Sequence, residues 1–296
     1  MKRLSIVIPC YNEAANLPLL LERFSRAIQR DDVEVILVNN GSTDDSAEVL
    51  QHLLPLYPFA RCVEVPINQG YGYGILAGLA AAQGTFLGWT HADLQTDPND
   101  VLLALDRLQP TALPDTLYLP ETVYVKGQRR GRRLFDNLFT LGMSLFESLL
   151  LQTPLWDINA QPNLFHRRFY ETWQAPPHDF SLDLYVYYLA KRQGLRVRRL
   201  NVQFPPRIHG ESSWNTGLAA KWKFIQRTVR FSLSLRKNIG RHSLGSVVSC
   251  QKTNSKGTPG ASSPKIKSQT ESNVQITTQT PDSPAVSKSS YNRPQP

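Results

Sequence analysis

The sequence predicts an α/β fold with a mostly parallel central sheet flanked by helices, because short apolar stretches alternate with helical stretches through the first hundred residues. The apolar stretches are typical of buried strands and lie at 4–9, 33–38, 60–66 and 85–90. Between them, the spacing of the apolar residues is that of helices. Ligands of such sheets bind beyond the carboxyl ends of the strands. The loops that follow these strands therefore form the candidate site.

The rest of the chain is less regular but continues the same pattern. It predicts a strand running into a basic loop at 121–133, a mostly apolar helix at 134–152, a helix near 181–193 and a strand at 195–204. We therefore predict one domain over 1–211. A basic amphipathic helix is expected within 212–242. Residues 243–296 are rich in Ser, Thr, Pro, Gln and Lys and are predicted to be disordered.

The net charge of +9 is concentrated towards the C-terminus, where residues 212–242 hold seven Lys and Arg and no acidic residue. Basic residues interleaved with large apolar ones at 218–238 are typical of a helix on an anionic membrane surface. Packing of this helix on the core is the alternative. The C-terminal tail lacks the aromatic interleaving of nucleic-acid-binding segments, so no nucleic acid partner is expected.

The apolar stretches are too short for a membrane-spanning helix or for the apolar part of a signal peptide. The three cysteines form no spaced pattern, which is consistent with a reducing compartment. We therefore expect a cytoplasmic protein, peripheral on the cytoplasmic face of the membrane.

Three polar side chains alternate just after the fourth apolar stretch, in "WTHADLQTDP": His91, Asp93 and Gln95. In an extended segment, residues i, i+2 and i+4 point to the same side. We therefore expect these three side chains to converge on one patch at the carboxyl edge of the sheet.

Four loops, each after a predicted strand, carry motifs in a fixed order: "PCYNE", "NNGSTD", "NQGYGYG" and "HADLQ". Together they resemble the motifs of the family-two inverting glycosyltransferases, which have a GT-A nucleotide-sugar-binding fold. The nearest branch is the dolichol-phosphate-mannose-synthase and polyprenyl-phosphate glycosyltransferase group, and the resemblance covers roughly residues 5–213. It implies that the domain over 1–211 transfers a sugar, with inversion, from a nucleotide-diphosphate donor to a polyprenyl-phosphate-type lipid.

The first two motifs imply the nucleotide contacts. Pro9, Tyr11 and Glu13 occupy the positions that line the nucleobase and ribose in the family. Asn40 stands where the family has an Asp that reads the edge of the base. An amide carries both a donor and an acceptor, so the nucleobase is left open. The alternative for this loop is a simple Asn-Gly turn.

The "HADLQ" stretch is similar to the family's D-A-D-x-Q element, which binds the metal and the donor diphosphate. Asp93 and Gln95 match it and offer hard oxygen ligands suited to Mg²⁺ or Mn²⁺. His91 replaces the first Asp of the element. Imidazole as a ligand would favour Mn²⁺. Alternatively, His91 donates a hydrogen bond to a sugar hydroxyl or a phosphate.

Two further loops imply phosphate binding. In the basic loop "KGQRRGRR", Arg129 and Arg133 best match the arginines that bind phosphate in this branch. A solvated basic loop is the alternative. In "RIHGESSW", Arg207 and Ser212 match the loop that closes over the donor and the acceptor phosphate, whereas Ser213 stands where Lys is usual.

Two aspartates are the candidate catalytic residues. A lipid phosphate is already an anion at neutral pH, whereas a hydroxyl acceptor needs a base to take its proton. Asp157 sits where the lipid-phosphate branch has an Asp before its acceptor loop, and Asp183 lies near the base of hydroxyl-directed relatives. Transfer to a glycan or glycolipid hydroxyl, in cell-surface polysaccharide synthesis, therefore stays open, as does a non-catalytic nucleotide-sugar-binding protein.

Overall fold

The structure is a computed structural model that describes residues 1–108, 119–131, 134–205, 207–208, 226 and 228–236. Seven strands form one sheet: β1 (Leu4–Cys10), β2 (Val33–Asn40), β3 (Ala60–Val65), β4 (Phe86–Trp89), β5 (Val123–Arg130), β6 (Asn163–His166) and β7 (Arg196–Gln203). The helices are α1 (Leu17–Ala27), α2 (Ser46–Leu53), α3 (Tyr71–Ala81), α4 (Pro98–Leu108), α5 (Leu134–Leu151), α6 (Arg167–Tyr170) and α7 (Leu182–Arg192). Residues 228–236 are also helical.

The strand order is β3-β2-β1-β4-β6-β5-β7. Every neighbouring pair is parallel except those of β6, which runs antiparallel to both β4 and β5. This confirms the predicted mostly parallel sheet. Because β1, β2 and β4 run the same way, the loops that follow them open at one edge of the sheet. The short strand β6 is a feature that the sequence pattern did not predict.

Helices cover both faces of the sheet, as expected for a doubly wound fold. One core layer joins α1 and α4 to Ile6 and Ile8 of β1. The other layer joins α3 and α7 to Val7, which points to the opposite face of the same strand. The small residues of α3 let it approach the sheet closely. A Cβ placed on Gly78 would lie 2.3 Å from Val7 Cγ1.

Helix α5 buries polar side chains and exposes apolar ones, which is the reverse of an ordinary surface helix. Its polar residues Ser144 and Glu147 are buried. Its apolar residues Leu141, Leu145, Phe146 and Leu149 are exposed. We call these four residues the apolar face of α5. A globular protein normally buries such a face, so its exposure indicates a surface that meets something other than water.

Some predictions fall outside the described residues. These are the boundary near residue 212, the tail at 243–296 and most of the amphipathic helix at 218–238. Within the described part of the chain, no helix has the length and apolar character needed to cross a membrane.

Candidate functional site

The loops after β1 and β2 are bound to each other at the carboxyl edge of the sheet. The backbone N–H of Asn12 donates to Ser42 Oγ at 3.1 Å, and the N–H of Thr43 donates to Asn12 Oδ1 at 2.8 Å. The N–H of Glu13 donates to Ser46 Oγ at 3.0 Å. The two predicted nucleotide motifs therefore form one surface.

The side chains of the first motif differ in their surroundings. Pro9 lies within β1, next to its last residue, and the ring of Tyr11 is 46% exposed. Glu13 accepts a hydrogen bond from Asn16 Nδ2 at 2.5 Å. Burial raises the pKa of the Glu13 carboxyl, and the nearby Asp93 adds to this, whereas Asn16 opposes it. The motif therefore combines an open ring with a carboxyl close to the "HADLQ" loop.

The two asparagines at the end of β2 do different things. Asn39 uses both ends of its amide, donating to Glu64 Oε2 at 2.8 Å and accepting from the Ser42 N–H at 3.3 Å. Asn40 Nδ2 donates to the carbonyl of Gly70 at 3.0 Å, and this fixes the orientation of its amide. The Asn40 Oδ1 atom is buried and has no hydrogen-bond partner among the described residues. A buried acceptor without a donor is rare and is a natural point for a ligand N–H.

The expectation of an extended "HADLQ" segment is wrong. Strand β4 ends at Trp89, and Leu94 has a φ of 61°. The Gln95 N–H donates to Asp93 Oδ1 at 3.2 Å, which closes a turn. The Thr90 and Thr96 hydroxyls meet at 2.8 Å across the base of this loop. The chain turns because an Asp side chain bonds its own backbone two residues on.

Asp93 and Gln95 nevertheless meet, at the guanidinium of Arg207. The Nη2 atom of Arg207 lies 3.0 Å from Asp93 Oδ2, and its Nε donates to Gln95 Oε1 at 3.3 Å. Gln95 Nε2 donates in turn to the carbonyl of Pro205 at 2.8 Å. Asp93 is buried. The structure thus gathers a carboxylate, an amide oxygen and a cation from two distant parts of the chain.

His91 lies against an aromatic pair rather than within a cluster of ligands. Its ring centroid is 5.9 Å from that of Tyr71, which stacks on Phe180 at 4.8 Å. In the part of the chain that is described, no three His, Cys, Asp or Glu side chains group as a metal site. A hard cation fits the oxygens of Asp93 and Gln95, provided that substrate phosphate supplies further ligands.

The basic stretch "KGQRR" is part of β5 rather than a solvated loop. Arg129 and Asp157 form a closed pair there. The Arg129 backbone N–H donates to Asp157 Oδ2 and its Nε donates to Oδ1, both at 2.8 Å, while Nη2 also contacts Oδ1. Burial would raise the pKa of the Asp157 carboxyl, but the contacts with Arg129 outweigh it and hold that pKa below its usual range.

Asp183 lies in a buried polar network that sequence reasoning missed. Its Oδ1 accepts from Gln161 Nε2 and Asn163 Nδ2, each at 3.0 Å, and lies 4.0 Å from Lys126 Nζ. Lys126 is 0% exposed. Burial lowers the pKa of Lys126 to about 7, although Asp183 opposes this. Gln161 also donates to the Tyr71 hydroxyl at 3.1 Å. The lysine was hidden because it lies in the basic stretch "KGQRR", which resembles a solvated loop in sequence.

The structure therefore brings most of the predicted residues to one edge of the sheet. Arg133 and Ser212 lie outside the described residues, so their predicted roles stay predictions.

Comparison with known proteins agrees with this arrangement. The model of the family described as "Glycosyl transferase family 2" matches residues 5–173, which is more than half of the chain. The chain belongs to this family. The match contains all four strand-end motifs that carried the resemblance.

Relatives in this family share moderate identity with the chain. An undecaprenyl-phosphate 4-deoxy-4-formamido-L-arabinose transferase of Yersinia enterocolitica is 29% identical over 224 residues, covering 73% of this chain and 63% of that protein. The enzyme of the same name from Photorhabdus laumondii is 38% identical over 144 residues, covering 47% of this chain and 40% of its own length. The match thus spans less than two thirds of either relative.

Solved structures confirm the GT-A fold. Glucosyl-3-phosphoglycerate synthase from Mycobacterium tuberculosis, in complex with Mn²⁺, UDP-glucose and phosphoglyceric acid, superposes with a TM-score of 0.60. The identity is 19%, and the match covers 80% of each chain. The same enzyme with Mg²⁺ and UDP gives a TM-score of 0.59 at 18% identity.

Proposed function

We propose that this protein transfers a sugar, with inversion, from a nucleoside diphosphate donor to a polyprenyl phosphate. The observation that carries the proposal is the cluster of Asp93, Gln95 and Arg207 beside the loops of the nucleotide motifs. Such a cluster suits the diphosphate of a nucleotide sugar, because it combines hard oxygen ligands for a cation with a guanidinium for phosphate. The names of the relatives supply the lipid class of the acceptor.

The nucleoside lies across the loops after β1 and β2. The unpaired Asn40 Oδ1 accepts an N–H from the edge of the base. Pro9 and the exposed Tyr11 ring line the base and ribose, with Glu13 nearby. UDP is the first nucleotide to test, because structurally similar enzymes were crystallised with it.

Asp93 and Gln95 would hold Mn²⁺ or Mg²⁺ beside the donor diphosphate. A cation bound there would supply Lewis-acid stabilisation of the charge that develops on the leaving diphosphate. When Asp93 is engaged in this way, Arg207 exchanges its carboxylate partner for phosphate oxygens. His91, packed on Tyr71, lies beside this site and donates a hydrogen bond to the sugar or the phosphate.

The acceptor phosphate binds at Arg129. Asp157 fixes the guanidinium through Nε and Nη2, which leaves Nη1 to meet the phosphate. An acceptor oxygen then attacks the anomeric carbon as the bond to the diphosphate breaks, and the electron pair leaves with the diphosphate. The phosphate is already anionic, so neither Asp157 nor Asp183 acts as a base in this reaction. Arg133 and Ser212 are proposed to add phosphate contacts.

The apolar face of α5 meets the membrane that holds the lipid. The helical segment 228–236 adjoins α5, since Arg236 Nη1 donates to the carbonyl of Leu150 at 3.1 Å. Leu233, Arg230 and Arg236 are exposed on this segment. A basic and apolar surface of this kind suits an anionic leaflet, where each cation contributes about 1 kcal/mol. We place the protein on the cytoplasmic face, where nucleotide sugars are available.

The direct test is transfer of radiolabelled sugar from a panel of UDP-sugars to undecaprenyl phosphate in detergent, with Mn²⁺, Mg²⁺ or EDTA. The proposal predicts label in the lipid fraction that EDTA abolishes. Label that appears only when a glycan or glycolipid is supplied would move the acceptor to a hydroxyl and turn attention to Asp183. Donor binding without transfer to any acceptor would indicate a non-catalytic binding protein.

A further inference from the structure

A buried guanidinium on β7 has no part in any step described above. Arg199 is partly buried as a residue, but its Nε, Nη1 and Nη2 atoms are all buried, and none has a hydrogen-bond partner among the described residues. The guanidinium carbon lies 5.7 Å from the centroid of the Tyr187 ring. A ring stabilises a cation placed over it, but it leaves the guanidinium N–H groups without an oxygen acceptor. A buried charge is normally paired, so an isolated one needs an explanation.

Arg199 belongs to a cluster of buried charges between the sheet and α7. In the pairing of β5 with β7 it lies in register with Lys126. Residues in register on neighbouring strands point to the same face of the sheet. The Nζ atom of Lys126 accordingly lies 5.5 Å from the same Tyr187 ring. Lys126 in turn lies 4.0 Å from a carboxylate oxygen of Asp183.

The charge of Arg199 reaches the proposed phosphate site. Burial raises the pKa of the Asp157 carboxyl, Arg129 lowers it, and Arg199 lowers it further. Asp157 is the carboxylate that pairs with the Arg129 guanidinium. An arginine neutralised in this way offers an anion little net charge. The positive potential that a phosphate needs must therefore come from beyond the pair.

The buried charges of this region show where that potential arises. Lys126, Arg129 and Arg199 are the cations, and Asp157 and Asp183 are the carboxylates beside them. Burial lowers the pKa of Lys126 to about 7, so this lysine carries only part of a charge at neutral pH. A guanidinium keeps its charge. Arg199 is therefore a permanent charge that contacts no carboxylate among the described residues.

We propose that Arg199 is a positioning residue for the acceptor phosphate, and that its unpaired charge is balanced when the phosphate of the lipid binds at Arg129. Arg199 acts through the Arg129–Asp157 pair rather than by contact with the phosphate, because it gives the neutral pair a positive surrounding. A charge in the interior is screened less than one at the surface, so it acts over a longer distance. This inference rests on the proposed function, since a neutral hydroxyl acceptor would gain nothing from the charge.

The test measures stability and phosphate binding together, because the inference predicts opposite changes in the two. Arg199→Met removes the charge and keeps an unbranched side chain. The probe is farnesyl phosphate, a short polyprenyl phosphate, and calorimetry at fixed ionic strength measures its affinity. We expect Arg199→Met to weaken binding roughly tenfold. It should raise the midpoint of urea denaturation, because an unpaired buried cation is removed. Arg199→Lys should have an intermediate affinity, since an ammonium loses part of its charge on burial.

Two further variants serve as controls. The Arg167 guanidinium is also partly buried, but it donates to the carbonyls of Ala82 at 2.8 Å and Gly84 at 2.7 Å. Arg167→Met should therefore lower the urea midpoint and leave the affinity for farnesyl phosphate unchanged. Arg129→Met removes the proposed phosphate ligand itself and should abolish binding.

The possible failures are distinguishable. If Arg199→Met binds farnesyl phosphate as the wild type does, while Arg129→Met does not bind it, the inference is overturned and the proposed function stands. A lower urea midpoint for Arg199→Met would also overturn the inference, because the guanidinium would then be paired in the free protein. If the wild type does not bind farnesyl phosphate, or if Arg129→Met binds it equally well, the proposed acceptor site fails and the inference fails with it.

Discussion

Two arginine–carboxylate pairs at the sheet edge differ in how firmly they are closed. Arg129 holds Asp157 through its backbone N–H and two guanidinium nitrogens. Arg207 contacts Asp93 through Nη2 only, and its Nε donates a hydrogen bond to Gln95. The first pair therefore suits a fixed phosphate ligand. The second suits an arrangement that opens when a cation and a diphosphate arrive.

Asp93→Asn tests the opening pair. The variant loses the charge that a cation needs, so we expect the affinity for UDP with Mn²⁺ to fall sharply and transfer to fall on the order of a hundredfold. Calorimetry and the radiolabel assay measure the two effects. Asp97→Asn is the matched control, because Asp97 accepts from the Asn99 N–H at the start of α4. Equal behaviour of the two variants would remove Asp93 from the site.

Asp157→Asn tests the closed pair. It leaves the partly buried Arg129 guanidinium without its counter-charge, and breaking a buried pair in this way costs about 3–5 kcal/mol. Urea denaturation at neutral pH measures the loss. The exposed Arg26–Glu22 pair provides the control. Glu22→Gln should cost no more than about 1 kcal/mol. A similar small loss for Asp157→Asn would show that the pair is not closed in solution.

Glu147 should make stability depend on pH in an unusual direction. Burial raises its pKa to about 7 in the folded protein, against about 4.3 in an unfolded chain. Between these values the folded protein holds a proton that the unfolded chain has released, so the free energy of unfolding falls as pH rises. From pH 5 to pH 8, the wild type should lose about 2 kcal/mol more than Glu147→Gln. Parallel curves for the two proteins would argue against a buried carboxyl.

At the scale of elements, the regular helices and strands could be predicted because their apolar periodicity is uninterrupted. The turn at Asp93 could not, because a polar alternation looks the same in a strand and in a loop closed by a side chain–backbone hydrogen bond. The buried Lys126 was missed for a similar reason, since its partners Ala160, Asn163 and Asp183 are distant from it in sequence. Local sequence patterns therefore predict the helices and strands, whereas the buried polar network depends on contacts between residues that are distant in sequence.

The apolar face of α5 makes a prediction for vesicle binding. Leu145→Glu together with Leu149→Glu should lower binding to anionic vesicles at least tenfold, because burial of each leucine in the interface is worth roughly 1.5–3 kcal/mol. Cosedimentation with vesicles containing phosphatidylglycerol measures this. The control pairs Leu56→Glu with Leu103→Glu, two exposed leucines on other elements. If both double variants bind vesicles as the wild type does, α5 does not face the membrane.

At the scale of the whole molecule, the order of motifs along the chain predicted both the family and the fold. Four short motifs after successive strands converge because parallel strands bring their carboxyl ends to one edge. The sequence did not predict which residue of the site plays which role. Asn39 and Asn40 are adjacent in sequence, yet Asn39 donates a hydrogen bond to Glu64, whereas the buried Oδ1 of Asn40 has no partner among the described residues. Only the folded arrangement separates them.

The stability of the lipid product to mild acid decides whether the acceptor is a phosphate. The wild-type protein, Mn²⁺, a labelled UDP-sugar and undecaprenyl phosphate are incubated together, and the labelled lipid is recovered and treated with dilute acid. A glycosyl phosphate linkage to the lipid predicts rapid release of the sugar. A labelled product that survives the treatment would place the sugar on a hydroxyl. That result would contradict attack by an acceptor phosphate bound at Arg129, and it would require a base to take the proton of the hydroxyl.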